Sequence, residues 1–139
     1  MVTSLVLDVS STISFLIKDE FSPYAMRALG ASRAASSVVV PTHFWIEVSN
    51  ALLMAERRNR ASPAEISHAF HLVFGLHVST DGETARRCQF ETLSLARQYN
   101  LTIYDAAYLE LAMRRGATLA TVDKDLVRAA GAAGVKLLS

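Results

Sequence analysis

The sequence predicts an α/β domain with a central parallel sheet of about five strands flanked by helices. Short β-rich runs alternate with longer stretches of helical period along the 139 residues. Helix starts and stops punctuate them: Ser22-Pro23 and Ser62-Pro63 each set a capping hydroxyl before a proline at the first helical position, and Gly116 and Gly134 read as stops ahead of strands. No internal repeat, low-complexity tract or linker divides the chain, so residues 1–139 are expected to fold as a single domain.

In chain order, strands are expected at Leu5-Leu7, Ser37-Val40, His77-Ser79, Thr118-Thr121 and a short Lys136-Leu138, where β-branched and apolar residues cluster. Between them the apolar period predicts helices near Ser11-Ile17, Pro23-Ala31, His43-Arg58, Pro63-Phe74, Gly82-Tyr99, Asp105-Arg115 and Lys124-Ala130. Ser62 and Glu65 have the spacing of a capping box. The His43-Arg58 stretch is apolar nearly all round, through Phe44, Trp45, Ile46, Val48, Ala51, Leu52, Leu53 and Met54, which predicts a central position.

Composition narrows the class. Hydrophobic residues make up 51% and charged residues 19%, as in a compact globule. The net charge of +1 gives no overall steering toward nucleic acid. Three arginine groups, Arg57/Arg58/Arg60, Arg86/Arg87 and Arg114/Arg115, read one by one as solvated helix ends, although together they could line a rim. Cys88 is the only cysteine, which excludes an internal disulfide and a multi-cysteine zinc site; its amphipathic context predicts a packed, inert thiol. No signal peptide is evident and no apolar run approaches the ~20 residues that span a bilayer, so a cytoplasmic protein without a membrane contact is expected.

Four carboxylates stand in apolar settings: Asp8 after Leu5-Val6-Leu7, Glu47 within its apolar helix, Asp105 at the head of the stripe Leu109-Ala112, and Asp123 after Leu119-Ala120-Thr121-Val122. An unpaired buried carboxylate costs several kcal/mol or takes up a proton, so such acids find a cation to share. Oxygen ligands of this kind suit Mg²⁺ or Mn²⁺. Each acid also has a plainer reading. Asp8 and Asp123 could be helix caps, Glu47 a buried ion-pair member, and Asp105 an ordinary helix-start acid with the opposite face, Glu110 and Arg114, in solvent. Asn50, one turn from Glu47, could donate a hydrogen bond to its carboxylate. Asp125 competes with Asp123 but falls inside the next helix beside Lys124 and Arg128.

Taken together, the segments Leu5-Val6-Leu7-Asp8-Val9-Ser10, Trp45 to Leu53, Leu101 to Leu109 and Leu119 to Leu126 resemble the PIN-domain family, and within it toxin ribonucleases of the VapC type. The resemblance spans the chain. It implies a PIN-like parallel sheet and an acidic cluster of Asp8, Glu47, Asp105 and Asp123 that hydrolyses RNA phosphodiester bonds with Mg²⁺, Mn²⁺ being a possible substitute. Asp8, Asp105 and Asp123 are the expected metal ligands, Glu47 a ligand or the carboxylate that orients the attacking water, and Ser10 and Thr121 supporting hydroxyls. The resemblance also implies a small antitoxin partner and a homodimer.

Other classes remain to be weighed. A haloacid-dehalogenase-like hydrolase would want a second Asp where Ser10 stands, and a phospho-acceptor regulator an acidic pair where Val9 and Ser10 stand. A catalytically silent module could instead use the acids to receive basic side chains of a partner protein. Metal binding separates that case from the enzyme.

Overall fold

The computed structural model describes residues 3–139. Its elements run β1 (Ser4–Leu7), α1 (Val9–Leu16), a 3₁₀ turn (Lys18–Glu20), α2 (Pro23–Ala34), β2 (Ser37–Val40), α3 (Phe44–Arg57), α4 (Pro63–Phe74), β3 (Ser79–Thr80), α5 (Thr84–Arg87), α6 (Glu91–Tyr99), α7 (Ile103–Arg115), β4 (Thr118–Ala120) and α8 (Lys124–Ala133). All strand pairs are parallel, and the sheet order is β3-β2-β1-β4. Leu5 pairs with both Val38 and Thr118, so β1 lies at the centre.

Among the described residues four strands form where about five were expected. The last expected strand is reduced to one parallel bridge, Leu119 with Leu137, held by Leu119 N to Lys136 O and Leu138 N to Leu119 O, both 2.9 Å. Val135 N is already committed to Ala130 O, closing helix α8 through Gly134 at φ 77°, which leaves too short a run for a ladder. β3 starts later than expected because His77 has φ 53°, incompatible with an extended strand. The expected Gly82-Tyr99 helix divides into α5 and α6, where Phe90 adopts φ −128° and ψ −91°. Neither proline nor glycine marks that break in the sequence.

The sheet centre explains the apolar runs. Leu5, Val6, Leu7, Val40, Leu119 and Ala120 have no exposed surface, and each large side chain among them contributes about 2 kcal/mol by leaving water. Crossovers run from β1 outward to β2 and β3, then back past β1 to β4. Among the helices, α2 and α7 pack against β1, and α7 also contacts α6 and α8. Helix α7 is the central one: Ala106 to Ala112 are all buried. Helix α3, expected to be central, buries only Phe44, Val48, Leu52 and Ala55 and leaves Ile46 76% exposed. No helix among the described residues is long and apolar enough to cross a membrane.

Candidate active site

The strand order places a crevice where open α/β sheets take ligands. From β1 the chain turns to β2 on one side, while β4 flanks the other, so the carboxyl ends of β1 and β4 form the topological switch point. Asp8 follows β1 and Asp123 follows β4. Asp105 and Glu47 reach the same place from the first turns of α7 and α3. All four line one crevice of about 360 Å³, with Ser10, Ile13, Ala51, Tyr108 and Val122 among its walls.

Asp8 is both a cap and a site residue. Its Oδ1 accepts the Ser11 N–H at 2.8 Å and so caps α1, while the Ser10 hydroxyl donates to Oδ1 and Oδ2 at 2.8 and 2.9 Å and the Thr121 hydroxyl donates to Oδ2. Thr121 Oγ1 and Ser10 Oγ in turn accept the N–H groups of Asp123 and Val122, both at 3.0 Å. Ser10 and Thr121 therefore stitch the ends of β1 and β4 together. Burial pushes the Asp8 carboxyl up from 3.8 to about 6, against the lowering pull of Ser11, Thr121 and Ser10; Asp105 raises it further.

Asp123 caps α8 by accepting Leu126 N–H at 2.9 Å. Asp105 sits half-buried in the first turn of α7, whose cap is Thr102. Burial pushes its carboxyl up to about 6 as well, followed by the charges of Asp123 and Glu47. Glu47 is not buried as the sequence suggested, because α3 lies at the rim: its side chain is 32% exposed. Its Oε1 accepts the Tyr108 hydroxyl at 2.8 Å, and His43 Nε2 lies 3.4 Å away. Asn50 is exposed on α3, does not line the crevice, and leaves the bond expected of it to Tyr108. Asp125 is exposed beside Arg128.

Charge is the distinctive property of this crevice. Four helix N-termini, those of α1, α3, α7 and α8, bring their acids to it, and their dipoles favour anions there. Yet among the described residues no Lys, Arg or His lines it, and Glu20, a fifth acid on the wall, is engaged with Arg60 at 2.6 Å. An all-oxygen, cation-free donor set fits a hard divalent ion. Among the described residues no trio of His, Cys, Asp or Glu closes tightly enough to enclose an ion alone.

Sequence reasoning missed Tyr108 and Glu20 on the crevice wall, and His43 beside Glu47. The spacing Asp105–Tyr108 puts two residues on one helix face and could have flagged the first; nothing marked Glu20. It also missed a second ionic cluster. Glu110, expected in solvent, is buried against Arg114 (2.9 Å), which also binds buried Asp81 at 2.7 Å. Burial opposes ionisation of Asp81, but Arg114 outweighs it and the carboxyl falls below its ordinary range.

A parallel sheet with an acidic crevice at its switch point defines a class of α/β domain. Comparison with known proteins narrows the class to a family: the family model for the PIN domain matches residues 5–132, and the chain belongs to that family. It is similar to Ribonuclease VapC3 of Pyrobaculum aerophilum, 26% identical over 122 residues that cover 88% of this chain and 91% of the relative. Its fold matches the crystal structure of PAE2754 from Pyrobaculum aerophilum, with a TM-score of 0.70, 21% identity, and coverage of 97% of this chain and 83% of the other. It also matches VapBC2 from Rickettsia felis, solved bound to a DNA fragment from their promoter, at TM-score 0.66 and 13% identity over 98% of both chains. A third match is the sarcin-ricin loop cleaving toxin VapC20 of Mycobacterium tuberculosis, at TM-score 0.59 and 15% identity, covering 90% of this chain and 94% of the other.

Proposed function

We propose that this protein is a metal-dependent endoribonuclease and the toxin of a toxin–antitoxin pair. The observation that carries the reading is the crevice lined by five acids, four of them not paired with arginine, and, among the described residues, by no basic side chain, set at the switch point of a PIN fold. The names of its relatives support RNA as the substrate.

Asp8, Asp105 and Asp123 are the residues that would hold Mg²⁺ or Mn²⁺, and Glu47 would ligate or take the proton of the attacking water. A bound ion supplies the positive charge that lets an anionic phosphodiester enter and offsets the charge gathered in the transition state. The chain's own contribution is placement. Ser10, Ser11 N–H and Thr121 hold both oxygens of Asp8 in one orientation, Leu126 N–H fixes Asp123, and the four helix N-termini favour anionic groups in the crevice. Tyr24, whose hydroxyl meets Ser11 Oγ at 2.8 Å and donates to Thr121 O at 3.3 Å, braces the same corner.

A small antitoxin blocks this site in the reading, a basic side chain occupying the acids in place of the metal; the active form is a homodimer. The reading is tested on purified protein freed of any partner. RNA is cut when Mg²⁺ or Mn²⁺ is supplied, and cleavage that persists undiminished in excess chelator rejects metal dependence. A protein that binds neither metal nor RNA, yet binds a basic partner, is the silent module instead.

A further inference from the structure

Glu47 differs from the other three acids in how its carboxylate is held. Asp8 and Asp123 are fixed by backbone N–H groups of the helices they cap, and Asp105 has a short side chain on a buried helix. Glu47 has a longer side chain, projects from a rim helix, and receives no backbone N–H among the described residues. Left alone it would sample many rotamers.

One hydrogen bond at Oε1 opposes this, and a second side chain packs beside it. Tyr108 comes from α7, one turn past Asp105, with its ring 2% exposed and its hydroxyl 2.8 Å from Glu47 Oε1. The phenol O–H is the donor in this pair, since a carboxylate can only accept. His43 lies one turn before Glu47, and its Nε2 faces two acceptors, Tyr104 O at 3.1 Å and Glu47 Oε1 at 3.4 Å. The His43 ring is wedged edge-on against Tyr108, with centroids 5.2 Å apart, and against Tyr104 at 5.8 Å. Among the described residues no donor reaches Glu47 Oε2.

We infer that Tyr108 is a positioning residue for the nuclease reaction: it pins Oε1 of Glu47, with the His43 ring packed against the Tyr108 ring, and leaves Oε2 as the oxygen that meets the attacking water. The inference rests on the ribonuclease reading above. It ties α3 to α7, so the acid that acts on the nucleophile keeps a fixed relation to Asp105. A carboxylate held by a charge-assisted bond loses less freedom on the way to the transition state.

Tyr108→Phe tests this, because it keeps the ring in the core and removes only the hydroxyl. With Mg²⁺ or Mn²⁺ and an RNA substrate, kcat is expected to fall roughly tenfold while KM stays at the parental value. In a Glu47→Asp background, whose shortened side chain withdraws the carboxylate from the phenol, Tyr108→Phe is expected to cause no further loss. Parental kcat in Tyr108→Phe, a rise in KM that accounts for the whole loss, or an equal loss in both backgrounds overturns the assignment. A parent that cleaves no RNA with either metal overturns the ribonuclease reading, and this inference falls with it. An active parent with an unaffected Tyr108→Phe rejects only the role given to Tyr108.

Discussion

Replacing Asp8 with asparagine separates the two roles that this residue combines. Its carboxyl is raised from 3.8 to about 6, chiefly by burial. Between those values the folded protein keeps a proton that the unfolded chain has released. Folding stability therefore falls as pH rises through this window and is flat on either side. Each pKa unit corresponds to about 1.4 kcal/mol, so a displacement of about two units makes the ionised folded state about 3 kcal/mol less favourable than the low-pH limit. The asparagine side chain of the Asp8→Asn variant does not titrate. As an N-cap it is equivalent to aspartate, and Thr121 Oγ1 can reverse its role and accept from the amide.

The stability difference between parent and Asp8→Asn, measured by urea unfolding in chelator, should thus swing by about 3 kcal/mol in the variant's favour between about pH 4 and pH 7. In melting temperature the swing is on the order of 10 °C for a domain of this size. Any constant cost of the substitution cancels, since only the pH dependence is read. A difference that stays level, or one that favours the parent as pH rises, would show that the bonds from Ser10, Ser11 and Thr121 overcome desolvation and that Asp8 is a stabilising cap.

Four further outcomes follow from the same geometry. Asp105→Asn removes the second raised carboxyl and is expected to abolish RNA cleavage while leaving the melting temperature in chelator unchanged or higher at neutral pH; a clear loss of stability would mark it as structural. Saturating Mn²⁺ should raise the melting temperature of the parent and flatten its decline with pH, and should do neither in Asp8→Asn/Asp105→Asn. Arg114→Met leaves Asp81 and Glu110 buried without their cation and should cost about 3 kcal/mol or more by urea unfolding at pH 7, whereas a change under about 1 kcal/mol means that water relieves both acids. Production of the chain alone should arrest growth of its host, and Glu47→Gln, at matched soluble yield, should relieve the arrest with a loss of cleavage of roughly a hundredfold.

The four acids were legible because each stands where local pattern and tertiary position coincide: after a strand, or at a helix start on the side that the period marks apolar. What the sequence concealed depends on contacts between elements. Tyr108 reads as a core aromatic on α7, and only the approach of α3 turns its hydroxyl toward Glu47. Glu110 falls on the polar side of the helical period, yet α7 is enclosed on that side too, and Arg114 and Asp81 are what make its burial tolerable. The α5–α6 break has no glycine or proline to announce it, and the shortening of β3 hangs on a left-handed His77 that no propensity singles out. Apolar content likewise overstated how central α3 is, since Ile46 and Leu53 remain on the surface.

For Asp8 and Asp123 the role of helix cap does not exclude a role in the crevice, because one geometry places each acid at both. A helix that begins at the carboxyl end of a strand points its free N–H groups toward the switch point, and an acid at the cap position satisfies one of them while its carboxylate borders the crevice; Asp123 does so through Oδ2 alone, whereas both oxygens of Asp8 also accept from Ser10 and Thr121. Repeating this at α1 and α8, and adding first-turn acids from α3 and α7, concentrates negative charge without any basic side chain among the described wall residues. The helix dipoles lower the cost but do not remove it: burial first, and the neighbouring acids after it, hold the carboxyls of Asp8 and Asp105 above their ordinary range. On the proposed reading, a divalent cation entering the crevice would relieve this buried negative charge, and so would a basic side chain of an inhibitor. Metal and inhibitor would then compete for the same uncompensated charge, so added Mn²⁺ should weaken binding of a cognate antitoxin in the parent and leave it unchanged in Asp8→Asn/Asp105→Asn. Equal weakening in both proteins would place the inhibitor's grip outside the acidic crevice.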